Sequence, residues 1–433
     1  MKNFFKNTSV FDVVFRILLI LLPFTTILSV WTNVKLGIPG FSFYKEALIL
    51  VMFLIFAWNV LGRKITLKFT LIDILILSYI VSMLVITVFT TGLSGIIYGG
   101  RYDFSFLLVF WLLYHGASLL RESTAYYLRL FLISGGIMLF LSWLLKWPLT
   151  EDLLLVFGYC GNPSNWHDCG GIPPIFHGID GANVRRFQWL LDGPNTMWAF
   201  LIFFGWIFAY YMRMRKDWYF VVGLILIGIM GMIVYTYSRS ALLGSVGAIG
   251  VAIIWNLRTI YRHYKKEFII ISLIGILWVW VLGLKYGGHI GAIIGRAGST
   301  KWHFERMVTS IERFQSHPLG QWLGSSGPGY RHVIPEADVD MEEKDRFYIP
   351  ESWYIQQFVE GWVIGGILFL AIMLTLFLLL MKEHAILGAM FAWVGIMNLF
   401  LHTFESSVLV LPMFMLIGLI LSHHRKRLNQ PQN

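Results

Sequence analysis

The chain has 433 residues, 57% of them hydrophobic and only 13% charged, with 34 Lys and Arg against 24 Asp and Glu. Soluble domains carry about 25% charged residues, so this composition excludes a water-soluble enzyme and predicts a polytopic membrane protein. The net charge of +10 does not point to nucleic acid, because the cations cluster between apolar runs, where they set membrane orientation.

A helix needs about 20 apolar residues to cross a hydrocarbon core of about 30 Å. Such runs fall near 11–32, 44–62, 70–90, 102–120, 126–145, 194–212, 217–236, 240–256, 267–285, 354–381, 384–402 and 405–422. They predict an all-α fold of about twelve transmembrane helices in one integral domain, 1–433. Continuous runs such as 267–284 contradict a β-barrel. No small-residue cleavage site follows the first run, which reads as a span rather than a signal peptide. With the N-terminus inside, Arg63, Lys64, Lys68, Arg121, Arg213, Arg215, Lys216, the 258–266 cluster, Lys382 and Arg425–Arg427 all share one side. The positive-inside rule therefore gives one orientation, with both termini cytoplasmic.

Two connections on the outer side are long, 146–193 and 286–353, and too rich in Trp, Phe, Ile and His for disorder. Chemistry is expected there. The cytoplasmic linkers are short and hold no nucleotide-binding motif, so direct use of ATP is not expected. Cys160 and Cys169 share the first loop. A disulfide is a simpler account of them on an oxidising face than a soft-metal site with His167.

In the same loop, 185-RRFQWLLDGPN-195 places Arg185 and Arg186 ahead of a Gly-Pro-Asn turn into the sixth run. Pro opens helices, and free N–H groups at a helix start favour anions, so Arg185, Arg186 and Asn195 form a candidate diphosphate-binding lip. Pairing of the arginines with Asp180 or Asp192 is the plainer alternative. Arg239, in 236-TYSRSALLGS-245, lies between two apolar runs with almost no loop. A charge there belongs at the boundary or in a polar cavity, either snorkelling or binding phosphate through its planar fork.

The second long loop predicts an amphipathic helix on the membrane surface over 302–314, with Trp302, Met307, Ile311 and Phe314 as its apolar face. It carries His303 as a candidate substrate contact. The Gly-Ser-Ser-Gly-Pro-Gly stretch at 324–329 lacks the preceding strand of a dinucleotide site and reads as a turn bringing Arg331 and His332 inward. Asp338 and Asp340 have a metal-site spacing but lie in a generally acidic stretch, so no metal or cofactor is assigned.

Glu351 follows Pro350 at the entrance of the tenth run. Partial burial there would raise its pKa toward that of a general base, against the alternative of a helix-dipole carboxylate. Glu360, inside the apolar run, is a candidate by its cost in the membrane or else a structural partner of an arginine.

Four segments in this order, 185–195, the SRSALLG turn at 238–244, 317-HPLGQWLGSSGPGY-330 and 351-ESWYIQQFVEGWVIGG-366, resemble the bacterial O-antigen ligase and O-antigen polymerase superfamily of membrane glycosyltransferases. The last is similar to the family's His-Asn-x-Tyr-Leu-x-x-x-x-Glu-x-Gly-x-x-Gly pattern. The resemblance implies a glycosyltransferase-C-like membrane fold in the bacterial cytoplasmic membrane. It also implies metal-independent, inverting transfer of a glycan from an undecaprenyl-diphosphate carrier to a glycan or lipid-glycan acceptor. Arg239 and Arg186 match the family's diphosphate-binding arginines. Glu351 stands where the ligases have a catalytic histidine, Ser352 where they have Asn, and Trp362 where a Gly is common. These departures lean toward a polymerase, with a protein oligosaccharyltransferase as a variant. A twelve-span transporter or flippase of lipid-linked oligosaccharides is the competing class.

Overall fold

A computed structural model describes residues 9–90, 93–144, 151–161, 172–179, 182–186, 188, 190–215, 236, 238, 297–317, 320–330 and 349–428. The chain is mostly helical, and among the described residues strands are limited to one short hairpin. Six described helices are long and apolar enough to cross a membrane, seven if one bent pair counts as a single span. Several apolar crossings in one chain make a multi-pass membrane protein. The runs at 217–236, 240–256 and 267–285 lie outside the described residues.

The first crossing, Val10–Lys35, joins α1 (Val10–Leu21) through a 3₁₀ turn at Pro23 to α2 (Thr25–Val30) and a final π turn. The proline explains the change of pitch, since its missing N–H breaks the α-helical ladder. Next come α3 (Tyr44–Leu61) and α4 (Leu71–Thr90). Leu54, Trp58, Leu61, Leu77 and Phe89 on these helices are exposed large apolar groups, as a face turned to lipid requires.

The fourth run departs from a straight span. It divides into α5 (Leu93–Asp103) and α6 (Ser105–Gly116), bent by 65° and separated by Phe104. Residues 93–101, assigned to a connection by hydropathy, are helical. Gly99 and Gly100 lower the apolar signal but allow close approach: a Cβ on Gly99 would meet the Leu323 backbone at 2.4 Å.

α7 (Thr124–Leu144), a short α8 (Glu151–Val156), the antiparallel hairpin β1 (His177–Ile179) and β2 (Ala182–Arg186), and α9 (Pro194–Arg215) follow. The later helices are α10 (Ala297–Ser316), α11 (Trp353–Glu383), α12 (Ala385–Met397) and α13 (Ser407–Leu428). The bundle closes around α13, whose residues Val408–Leu411 and Met413–Leu421 are buried throughout and which packs along α6. Gly418 permits this approach, because a Cβ there would lie 2.6 Å from the Phe110 carbonyl oxygen. α11 packs on α4, α10 and α12, and α9 on α7 and α12.

α11 is broken within itself. Trp362 has φ 62° and ψ −178°, a conformation that only glycine adopts readily. The break leaves carbonyls of the preceding turn open to the loop before it, and the Gln321 N–H donates to the Val359 oxygen at 3.1 Å. Gly320, at φ 78°, sits so close that a Cβ would meet Trp362 N at 2.8 Å and Glu360 O at 2.9 Å.

Candidate functional site

The start of α11 fixes the centre of the site. Trp353 N–H donates to the carbonyls of Asn398 (3.0 Å) and Leu401 (3.1 Å), so a helix end that would otherwise lack acceptors ties down the chain leading to His402. Just before it, Glu351 takes a left-handed φ of 58° and is only 3% exposed. Non-glycine residues held this way cluster where geometry serves function. The turn puts the carboxylate among basic side chains: His303 Nδ1 lies 2.9 Å from its Oε2, Arg306 Nη1 3.9 Å from Oε1, and His402 Nδ1 4.0 Å from Oε2.

His303 and Arg306 come from α10, which forms as predicted but extends from Ala297 to Ser316 and is oriented differently. Its less exposed side carries His303, Arg306, Ser310 and Arg313, while Phe304 (66% exposed), Val308 and Ile311 face outward. Met307 and Phe314 are half-buried, Phe314 against the ring of Phe358. The expected apolar face is therefore divided, and a polar and cationic stripe lines the interior. An apolar outer ridge over a cationic inner face suits a helix between lipid and a site for anions.

The carboxyl of Glu351 departs from the raised pKa expected for it. Burial disfavours its charge, but the His303 hydrogen bond and the favourable electrostatics of the His402, His303 and Arg306 side chains outweigh burial and hold it below its usual value. It stays ionised at neutral pH, which suits an orienting carboxylate better than a base. Burial pushes the His402 imidazole down, with Glu351 only partly opposing, so that ring is neutral. Burial pushes Glu405, next to it in the Thr403–Glu405 turn, well above its ordinary value, with Asp103 adding to the effect.

A second wall comes from the hairpin. Its register sets His177 opposite Arg186, and His177 Nδ1 hydrogen-bonds Gln188, whose amide donates to the Pro174 oxygen. Arg186 Nε donates to the Thr236 carbonyl at 3.0 Å and its Nη2 to Asn195 Oδ1 at 3.2 Å, on the first turn of α9. Arg186 and Asn195 thus meet as expected. Thr236 precedes Arg239 by three residues in the chain. Asp192, whose carboxyl is raised chiefly by burial, interacts electrostatically with both His177 and His402 and links the two walls.

Glu360 does not join this cluster. It is fully buried, accepting from Gly324 N (3.2 Å), Ser326 N (3.1 Å) and Ser326 Oγ (2.7 Å), with its carboxyl also bonded to that of Asp103. Gln356 and Gln357 each donate to Asp103 at 3.3 Å. Among the described residues no arginine pairs with Glu360; it fastens the 324–329 turn, as that motif's glycines allow. Arg185 lies on β2, paired in the backbone with Gly178. Arg239, Arg331, His332, Asp338 and Asp340 lie outside the described residues.

Arg306, Arg313, His402 and Glu405 were missed. The first two share the three- and four-residue spacing of His303 and Ser310, a helical stripe visible in the sequence when cations rather than apolar residues are traced. His402 and Glu405 gave no local signal, being neighbours of Glu351 only through the fold. Cys160 is disulfide-bonded, and the chain's other cysteine is Cys169. Among the described residues no group of three or more His, Cys, Asp or Glu is placed to hold a metal ion.

No protein-family model matches the chain, and no curated protein and no solved structure is significantly similar to it.

Proposed function

We propose that the protein is a membrane glycosyltransferase resembling O-antigen polymerases and ligases. In this reading it moves a glycan from an undecaprenyl-diphosphate carrier to an acceptor hydroxyl at the outer face of the bacterial cytoplasmic membrane. The contact between Glu351 and His303 at 2.9 Å, with Arg306 beside it, carries the reading. An ionised carboxylate on one imidazole nitrogen makes the other a base, as in hydrolase triads. The acceptor hydroxyl gives its proton to His303 Nε2 as its oxygen forms the new bond to the anomeric carbon, and the bond from that carbon to the diphosphate breaks. Negative charge then grows on the diphosphate, and Arg306, Arg186 and Arg239 are the cations that stabilise it.

Two further observations support the resemblance. Arg186 hydrogen-bonds Thr236, three residues before Arg239 in the chain, and Trp362, where the family commonly has Gly, adopts a glycine-like backbone. The proposed architecture adds the runs between 217 and 285 to the described helices, giving twelve spans with both termini inside. Incubating purified protein with an undecaprenyl-diphosphate oligosaccharide tests the function. Carrier-linked products lost in Glu351→Gln support a polymerase; product only with a second lipid or protein acceptor supports a ligase or oligosaccharyltransferase.

One observation favours the transporter alternative. Asp103, Gln356, Gln357 and Glu360 are buried together where α5 and α6 bend and α11 breaks, and broken helices with midplane polar groups mark transport sites. Carrier movement across proteoliposomes without any new glycosidic bond would replace the enzyme reading with this one.

A further inference from the structure

A cavity of about 710 Å3 opens between the end of the first crossing, the start of α3, the α5–α6 bend and the chain from Phe404 to Leu411. It borders the site described above, since Asp192 and Glu405 line it, but its cations come from the first half of the chain. Lys45 and Arg101 both converge on one carboxylate. Lys45 Nζ lies 3.2 Å and Arg101 Nε 2.6 Å from the same oxygen of Glu46, and both cations also donate to the Ser42 carbonyl, at 3.0 and 3.3 Å. The Arg101 guanidinium lies over the ring of Phe43 at 4.5 Å. Lys45 is 3% exposed, so it is held in place rather than free to extend into water.

Two cations on one carboxylate leave one positive charge, fixed at a membrane boundary where an uncompensated charge is costly. The acids on the same wall, Asp192 and Glu405, oppose it less than free carboxylates would, because burial raises both. The rest of the lining includes the hydroxyl of Ser29 and the amide of Asn33, with Tyr98 and Tyr102 as flat apolar surfaces. Fixed positive charge, hydroxyl partners and aromatic faces together fit an acidic sugar better than a phosphate alone, which would use only the cations.

We propose that this cavity binds a sugar residue carrying one negative charge, with Lys45 and Arg101 holding the acidic group beside the transfer site. The choice of a sugar rests on the glycosyl-transfer reading; the preference for an anion rests on the cavity alone.

Binding without turnover separates the two. The full-length protein in phosphatidylcholine nanodiscs is titrated with methyl glucuronide and methyl glucoside by saturation-transfer NMR. The glucuronide is expected to bind about tenfold more tightly, as one added charge-assisted contact allows. Arg101→Gln should remove that preference, and Glu46→Gln, which leaves both cations without their carboxylate, should enlarge it. Equal binding of the two sugars, or an unchanged preference in Arg101→Gln, overturns the proposal. Should Arg101→Gln fail to fold, weaker or unchanged glucuronide binding by Glu46→Gln overturns it equally. Displacement of the glucuronide by phosphatidylglycerol would assign the cavity to a lipid headgroup instead. A protein that prefers the glucuronide but forms no product keeps this site and loses the transfer reading; product without the preference does the reverse.

Discussion

Glu351 and Glu360 lie a few turns of chain apart, both buried, in opposite surroundings. Around Glu351 stand His303, His402 and Arg306, with distances from 2.9 to 4.0 Å. Around Glu360 stand backbone N–H groups, the Ser326 hydroxyl and a second carboxyl, that of Asp103. The first arrangement is a field that holds a charge and can accept another. The second consumes every oxygen of the carboxyl in fastening a loop. Burial of an acid therefore says little about its role until its partners are counted, because burial is common to both.

The sharpest way to break the comparison is to neutralise each acid in turn. Glu351→Gln is expected to lower transfer by about 10²–10⁴-fold, the range for loss of a proton-transfer group or its orienting partner, while the protein still inserts and its unfolding midpoint falls less than that of Glu360→Ala. Glu360→Ala should do the opposite. It strands the Gly324 N–H, the Ser326 N–H and the Ser326 hydroxyl in a buried place, costing about 3–5 kcal/mol, readable as a fall in the unfolding midpoint in detergent. Near-normal activity in Glu351→Gln, or a fully stable Glu360→Ala protein without activity, would exchange the two roles.

The pH dependence of the Glu351 cluster has a definite sign. The folded pKa of Glu351 is depressed, so its stabilising contribution is present above the ordinary carboxylate range and lost as pH falls through the folded value. His402 is depressed too, and its neutral form is favoured by folding, so stability from it is lost as pH falls below the ordinary imidazole value of about 6.5. Both act in the same direction. Because buried acids such as Glu405 act in the opposite direction, the check is a difference: the midpoint advantage of wild type over His402→Gln should shrink as pH falls from 7.5 to 4.

The sequence made the membrane class, the start of α9 at Pro194 and the existence of α10 legible, because each rests on local hydropathy, proline chemistry or helical spacing. It hid what depends on distant contacts. The α5–α6 bend was invisible because Gly99 and Gly100 dilute hydropathy while serving the approach to Leu323. The inward face of α10 was misread because apolar residues on a membrane protein can face lipid, which reverses the rule for soluble helices. His402 stands near Glu351 only because Asn398 and Leu401 receive the first N–H of α11.

A smaller effect separates backbone strain from side-chain packing at Trp362, whose break exposes the Val359 and Glu360 carbonyls to the clamp side of the comparison. Trp362→Gly and Trp362→Ala both remove the indole, so their difference isolates φ 62°. The glycine variant should be the more stable of the pair by about 1 kcal/mol despite the greater freedom of its unfolded chain. Equal midpoints would mean that α11 straightens when the indole is gone.

Glu405 sharpens the comparison at its boundary, since it touches both groups: His402 Nε2 is 3.9 Å from one oxygen, while Gln356 hydrogen-bonds it from the Asp103 side. Its carboxyl is raised by burial, so the folded protein keeps the proton that the unfolded chain releases near pH 4.3. Folding stability is then lost as pH rises from that value toward the folded pKa. Glu405→Gln keeps the size of the side chain and has no proton to lose. Its unfolding midpoint should match wild type near pH 4 and exceed it by about 2–4 °C at pH 7.5. A variant less stable than wild type at pH 7.5 would mean that Glu405 is ionised against His402. The acid would then belong with Glu351, and the wall of the cavity holding Lys45 and Arg101 would carry one more negative charge.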